Sequence, residues 1–190
     1  MNQIKWILGS QSPRRKELLA GIGIEFDVRT KDTEEIYPET LEAEKVPEFL
    51  ARLKAQALIP ELSENEVVIC ADTVVILNGR ILGKPTDRED AENMLAELSG
   101  KTHTVITGVF IGSANKSTSF SDRTEVTFEH LTPTEISFYI EQYKPFDKAG
   151  SYGVQEWIGY VAVKHMDGTY TNVMGLPTHR LYREIQQFVQ

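Results

Sequence analysis

A single charged residue inside a long apolar run constrains this chain more than any other feature. Residues 67–85 read VVICADTVVILNGRILGKP. Val67 to Ala71 and Val74 to Leu77 are apolar runs, and Asp72 stands between them. Asn78-Gly79 supplies a two-residue hairpin turn, because both residues tolerate positive φ. A return strand, Arg80 to Leu82, then ends at Gly83-Lys84-Pro85. An ionised carboxylate among so many apolar side chains is costly unless a cation, a metal or hydrogen-bond donors meet it. Asp72 therefore has a structural partner or faces a site, and the spacing leaves both open.

Upstream, Ile4 to Leu8 reads as a short buried strand followed by Gly9-Ser10-Gln11-Ser12-Pro13-Arg14-Arg15-Lys16. Ser12 suits an N-cap and Pro13 the first helical position, so a helix runs from there to Gly21. Free N–H groups and the helix dipole make such a start an anion site. Two arginines in a first turn oppose the dipole, and a phosphate would account for them. Phe26 to Thr30 reads as a second strand. Residues 31–48 are acidic, and a metal ligand could lie among Asp32, Glu34 and Glu35. A helix over 47–59 carries Phe49, Leu50, Leu53, Ala57 and Leu58 on one stripe. Lys54 sits beside it, the ordinary place of a surface lysine whose stem covers apolar neighbours.

Downstream, Thr86-Asp87-Arg88-Glu89 reads as a capping box opening a helix whose buried face is Ala91, Met94, Leu95 and Leu98. Gly79 to Lys84 is one residue short of a phosphate-binding P-loop, and Pro85 stands where Ser or Thr belongs, so that reading is rejected. Thr104 to Gly112 and Glu125 to Leu131 read as paired strands joined by the polar stretch Ser113 to Ser119. Thr132-Pro133-Thr134-Glu135 opens another helix. Residues 145–157, PFDKAGSYGVQEW, lack periodicity and suit a functional loop. Ile158 to Val163 reads as a strand, and a last helix over 177–189 buries Leu181, Ile185 and Phe188.

With 190 residues, 41% hydrophobic and 25% charged, the chain suits one soluble domain, in one or two lobes. A net charge of -8 argues against nucleic-acid or membrane-surface binding. The single cysteine, Cys70, suits a small core residue, and the four histidines have no zinc-binding spacing. The first apolar run is too short for a signal peptide and no run spans a membrane, so a cytoplasmic protein is expected. No Ser-His-Asp set and no nucleophilic cysteine can be assembled. A basic helix start, a strand carboxylate, nearby lysines and a Gly-rich loop together fit a polyphosphate substrate with a divalent metal.

Five motifs resemble the Maf family. They are Ser10-x-Ser12-Pro13-Arg14-Arg15, Ala71-Asp72-Thr73-Val74-Val75, Gly83-Lys84-Pro85, Thr107-Gly108-Val109 and Asp147-Lys148-Ala149-Gly150-x-Tyr152-Gly153-x-Gln155. The resemblance runs from Leu8 to Pro177. It implies one domain over residues 1–190 with an α/β fold, similar to that of inosine triphosphate pyrophosphatases. Such a fold has a long mixed twisted sheet with flanking helices and two lobes around a cleft. It implies cleavage of a nucleoside triphosphate to the monophosphate and pyrophosphate with a divalent cation, Mg²⁺ or Mn²⁺. Asp72 then corresponds to the proton acceptor or metal-organising carboxylate, and Glu35 to the family's acidic position after the second strand. Ser10, Arg14, Arg15, Lys54 and Lys84 correspond to phosphate contacts. Arg14, Thr73 and Gln155 occupy the three positions that separate substrate classes, and they resemble the subfamily acting on dTTP and UTP, with modified pyrimidine nucleotides as further candidates. The resemblance also admits a homodimer, and, as the alternative, a non-catalytic regulator of septum formation that binds a partner. After Gln155 the family commonly has glycine, whereas this chain has Glu156-Trp157; the indole could stack on a base or pack beneath the loop.

Overall fold

β1 (Lys5–Leu8), α1 (Pro13–Gly21), β2 (Phe26–Val28) and α2 (Val46–Leu58) open the chain in the computed structural model, which describes residues 4–190. β3 (Glu66–Leu77) turns into β4 (Arg80–Leu82), and α3 (Arg88–Leu98), β5 (Thr102–Gly112), β6 (Ser117–Phe128) and α4 (Pro133–Tyr143) follow. The chain continues through α5 (Trp157–Val161), β7 (Val163–Asp167), α6 (Tyr170–Met174) and α7 (Thr178–Phe188). Among the described residues the strands form one mixed sheet in the order β2-β1-β3-β5-β6-β7, with β4 on β3. β1 is parallel to β2 and β3, whereas β3–β4 and β6–β7 are antiparallel. The β3–β4 turn has Asn78 at φ 51° and Gly79 at φ 79°, the positive values its sequence signals. No described helix is long and apolar enough to cross a membrane.

The chain folds as two compact units. One holds the described chain up to Asp72 with Thr107–Asp122 and Gly175–Gln190; the other holds Thr73–Ile106 and Arg123–Met174. In the first unit β3 is covered on both faces, which is why it reads as an unbroken apolar run. Val67, Ile69 and Ala71 point to one face and pack with Leu19 of α1 and with Leu181, Ile185 and Phe188 of α7. Val68 and Cys70 point to the other and pack with Ala51, Ala55 and Leu58 of α2. By the two-residue period of a strand, Asp72 follows Cys70 onto the α2 face.

α2 can approach closely because of Gly108 on β5. A Cβ there would lie 2.2 Å from the Glu48 backbone nitrogen and 2.4 Å from the Pro47 carbonyl carbon. The buried face of α2 is Val46, Pro47, Leu50, Ala51, Ala55 and Leu58. The expected stripe with Phe49, Leu53 and Ala57 is thus rotated, and those three are only half-buried. Small residues face β5 and the sheet, where the backbones nearly touch, and this rotation carries Lys54 inward.

Four further expectations are corrected. β6 begins at Ser117, inside the stretch read as a loop, because the Ser119 and Ser121 hydroxyls donate to the Glu48 carboxylate at 2.6 and 3.0 Å. β2 ends at Val28, short of Thr30. The cap of α3 is Asp87, one residue later than Thr86: its carboxylate accepts from the Asp90 N–H at 2.9 Å, while Asp90 accepts from the Thr86 N–H. Ile158 to Val163 is largely α5 rather than a strand. A Cβ on Gly159 would lie 1.7 Å from the Val154 carbonyl oxygen, so the backbone is folded tightly here, and pairing begins only at Val163. A short apolar run does not distinguish the two structures. The box at Thr132 and Glu135 forms as read.

In the second unit His103 is buried between Phe128 and Tyr152, with ring centroids at 4.9 and 5.4 Å. Its Nε2 is hydrogen-bonded to the Tyr152 hydroxyl at 2.7 Å. Burial pushes its pKa from 6.5 down to about 4. The folded chain therefore binds fewer protons than the unfolded chain between those values, so stability falls as pH drops through that window and levels off below it. We expect His103→Gln to flatten the dependence of the denaturation midpoint on pH between 6.5 and about 4. Glu66, held at about 2 chiefly by its hydrogen bonds from Arg29, acts below 4.5 and meets that window only at its lower edge. Gly108→Ala should lower stability by about 1–3 kcal/mol in denaturant titrations, because the methyl group meets backbone that cannot yield cheaply.

Candidate active site

Lys54 joins two carboxylates in the first unit. Its Nζ donates to Asp72 Oδ1 at 2.5 Å and pairs with Glu35 Oε1 at 2.9 Å. Lys54 lies four residues from both Leu50 and Leu58 and so projects from the packed side of α2, not from its outer surface. The surface-lysine reading is overturned. Asp72 is the partnered carboxylate that its apolar strand demanded. Lys54 and Asp72 are largely buried and Glu35 is half-exposed. Cys70, two residues before Asp72, is buried and its thiol is pushed up to about 12, so it is an inert core residue.

The start of α1 is fixed against the same strand. The Gly9 N–H donates to the Ile69 carbonyl at 2.8 Å, and a Cβ on Gly9 would lie 2.3 Å from Cys70 Sγ. Only glycine lets the chain leave β1 so close to β3. Ser10 is buried, and its hydroxyl oxygen accepts from the Ser12 N–H at 3.2 Å and from Arg15 Nη1 at 3.4 Å. Ser12 is the N-cap residue and Pro13 the first helical residue, as read, but no side-chain bond closes the cap and the first turn holds no acidic residue. Arg15 is anchored by donating from Nε to the Gly175 carbonyl at 2.9 Å. Burial lowers the Arg15 pKa, opposed by the field of Asp72 and aided by that of Arg14. Arg14 is half-buried beside it.

The structure thus brings Ser10, Arg14, Arg15, Glu35, Lys54 and Asp72 into one unit. Asp72 and Glu35 aim at a single small cation, an arrangement that fits a hard divalent ion completed by phosphate oxygens. Among the described residues no group of three or more His, Cys, Asp or Glu is arranged to hold a metal, so the substrate would have to supply the remaining ligands.

Thr73, Lys84 and Gln155 belong to the second unit. Thr73 follows Asp72 on β3 and is half-buried, and Lys84 is exposed just beyond β4. The Gly150 N–H donates to the Gly83 carbonyl at 3.0 Å, which ties the Gly-rich loop to the end of the hairpin beside Lys84. Gln155 is half-buried, and among the described residues its buried Oε1 has no hydrogen-bond partner. Trp157 packs edge-on against Phe138 with centroids at 5.0 Å, which favours packing over base stacking. Sequence reasoning missed the Gly175 carbonyl as the anchor of Arg15, since nothing local links residues 160 positions apart. It also gave no role to the pairing of Glu156 with Lys148, which is 3.1 Å long.

A family model described as Maf-like protein matches residues 5–188. A dTTP/UTP pyrophosphatase of Porphyromonas gingivalis is 52% identical over 191 residues, covering 99% of this chain and 96% of that protein. One of Flavobacterium psychrophilum is 48% identical over 178 residues, covering 94% and 91%. The Staphylococcus aureus Ham1 protein shares the fold, with a TM-score of 0.54 at 15% identity, covering 98% of this chain and 100% of that one.

The geometry sets an asymmetry. Lys54→Met takes the ammonium from the largely buried Asp72 carboxylate and should cost about 2 kcal/mol in chemical denaturation. Asp72→Asn leaves Lys54 paired with Glu35 and should cost less than about 1 kcal/mol.

Proposed function

The chain belongs to the Maf family, and from that premise we propose that it is a nucleoside triphosphate pyrophosphatase acting on dTTP and UTP, with modified pyrimidine nucleotides as further substrates. The observation that carries this reading is the meeting of Lys54 with Asp72 and Glu35 in the unit that also holds the Ser10–Arg15 helix start. Ser10, the N–H groups at the start of α1, Arg14 and Arg15 take the phosphates. Lys54 and Lys84 add positive charge along the triphosphate. Asp72 and Glu35, together with substrate oxygens, would hold a divalent cation, Mg²⁺ or Mn²⁺, that neutralises charge developing on the leaving pyrophosphate. Asp72 accepts a proton as water adds across the α–β anhydride bond, and that bond breaks to release pyrophosphate and the nucleoside monophosphate. Arg14, Thr73 and Gln155 select the class of base. We assign the reaction to the cytoplasm, where its nucleotides are found.

The test is pyrophosphate release from a panel of nucleoside triphosphates with Mg²⁺ or Mn²⁺, and with EDTA as control. Metal-dependent release from dTTP and UTP with little from purines is expected. Release chiefly from purines would keep the reaction and overturn the pyrimidine assignment, and no release at all would favour the partner-binding regulator. Asp72→Asn should lower turnover about 10³-fold while leaving the denaturation midpoint near that of the parent. A fully active Asp72→Asn protein would remove Asp72 from the chemistry.

A further inference from the structure

Around Gln155 the second unit carries a buried charged network that the reaction above does not use. The Glu156 carboxylate accepts from the Tyr139 hydroxyl through one oxygen and pairs with Lys148 Nζ at 3.1 Å through the other. The Tyr139 hydroxyl oxygen accepts from the Gly153 N–H at 3.0 Å, and the Glu156 N–H donates to the Gly153 carbonyl at 3.0 Å. The turn that bears Gln155 is thus held at both ends by Glu156 and Tyr139. Tyr139 is fully buried and the Lys148 side chain is 9% exposed. Apart from Glu156, Lys148 has Asp147 at 2.8 Å, whose side chain is 60% exposed and therefore water-screened.

Lys148 and Gln155 converge on the same glycine. A Cβ on Gly153 would lie 2.7 Å from Gln155 Nε2, 3.0 Å from Glu156 Cδ and 3.0 Å from Lys148 Cε. Gln155 Oε1 is buried with no partner among the described residues. Released from Glu156, the Lys148 ammonium would keep only the exposed Asp147, and the open oxygen of the Gln155 carboxamide, whose nitrogen shares the space beside Gly153 with Lys148 Cε, would compete for it.

We propose that Glu156 is a positioning residue for base selection: by holding Lys148 and Tyr139 on one carboxylate, it keeps the Gln155 carboxamide oxygen open for the imide N–H of a uracil or thymine ring. The proposal rests on the role of Gln155 in base selection given above. A cytosine ring offers an acceptor at that ring position, so the ratio of kcat/KM for UTP to that for CTP reads the state of Gln155.

Glu156→Gln keeps the shape of the side chain and removes its charge, and it should lower that ratio about tenfold. Adding Lys148→Met removes the competing ammonium, and the double variant should return the ratio to within about twofold of the parent. Loss of support alone would depress both substrates together and would not be reversed by a second substitution. Tyr139→Phe, which keeps the ring and loses both hydroxyl bonds, should also lower the ratio, and it serves if Glu156→Gln fails to fold. Gln155→Ala is the control. A ratio that collapses in Gln155→Ala but is unchanged in Glu156→Gln and Tyr139→Phe overturns the proposal and leaves the role of Gln155 standing. A ratio unchanged in Gln155→Ala overturns both. A double variant no better than Glu156→Gln overturns the capture of Gln155 by Lys148.

Discussion

A carboxylate placed in a strand covered on both faces needs a cation, and the first unit is built so that one reaches it. The strand period sends Val67, Ile69 and Ala71 to α1 and α7 and sends Val68, Cys70 and Asp72 to α2. Gly108 lets α2 lie close enough for Lys54 to bridge Asp72 and Glu35. Each part depends on register. A slip of one residue in β3 would send Asp72 to the opposite face, away from its cation.

The start of α1 follows the same logic. Gly9 brings the chain against Cys70, and the Ser10 hydroxyl accepts from the Ser12 N–H, while no side chain caps the helix from Ser12. Arg15 is anchored on a backbone carbonyl, so its guanidinium is oriented before any ligand arrives. Fixed donors of this kind need no rearrangement when negative charge develops near them, which is where their electrostatic advantage lies.

Much of this was legible in the order of the residues. Asp72 stood out because its neighbours are apolar, the Asn78-Gly79 turn because its backbone demands it, and the arginines of α1 because they oppose its dipole. These signals are local. Lys54 was misplaced because the buried face of α2 is chosen by Gly108, which lies on another strand far along the chain. The strand read at Ile158 became a helix because the Val154 carbonyl occupies the space a side chain at Gly159 would need. Asp87 displaced Thr86 as a cap through a difference of one residue that the capping rule does not resolve. The partners of Glu156 lie on α4 and in the preceding loop, and no periodicity connects them.

Arg15 leaves the ribosome 160 residues before the carbonyl that anchors it. During synthesis β1, α1 and α2 can all exist while that guanidinium still lacks its Gly175 anchor. The start of α1 is therefore fully anchored only when almost all of the chain has emerged. A chain cut short before Gly175 would carry every residue of the Lys54–Asp72–Glu35 meeting and still lack the carbonyl that anchors Arg15. The emergence of Gly175, rather than of Asp72, is what completes this anchoring.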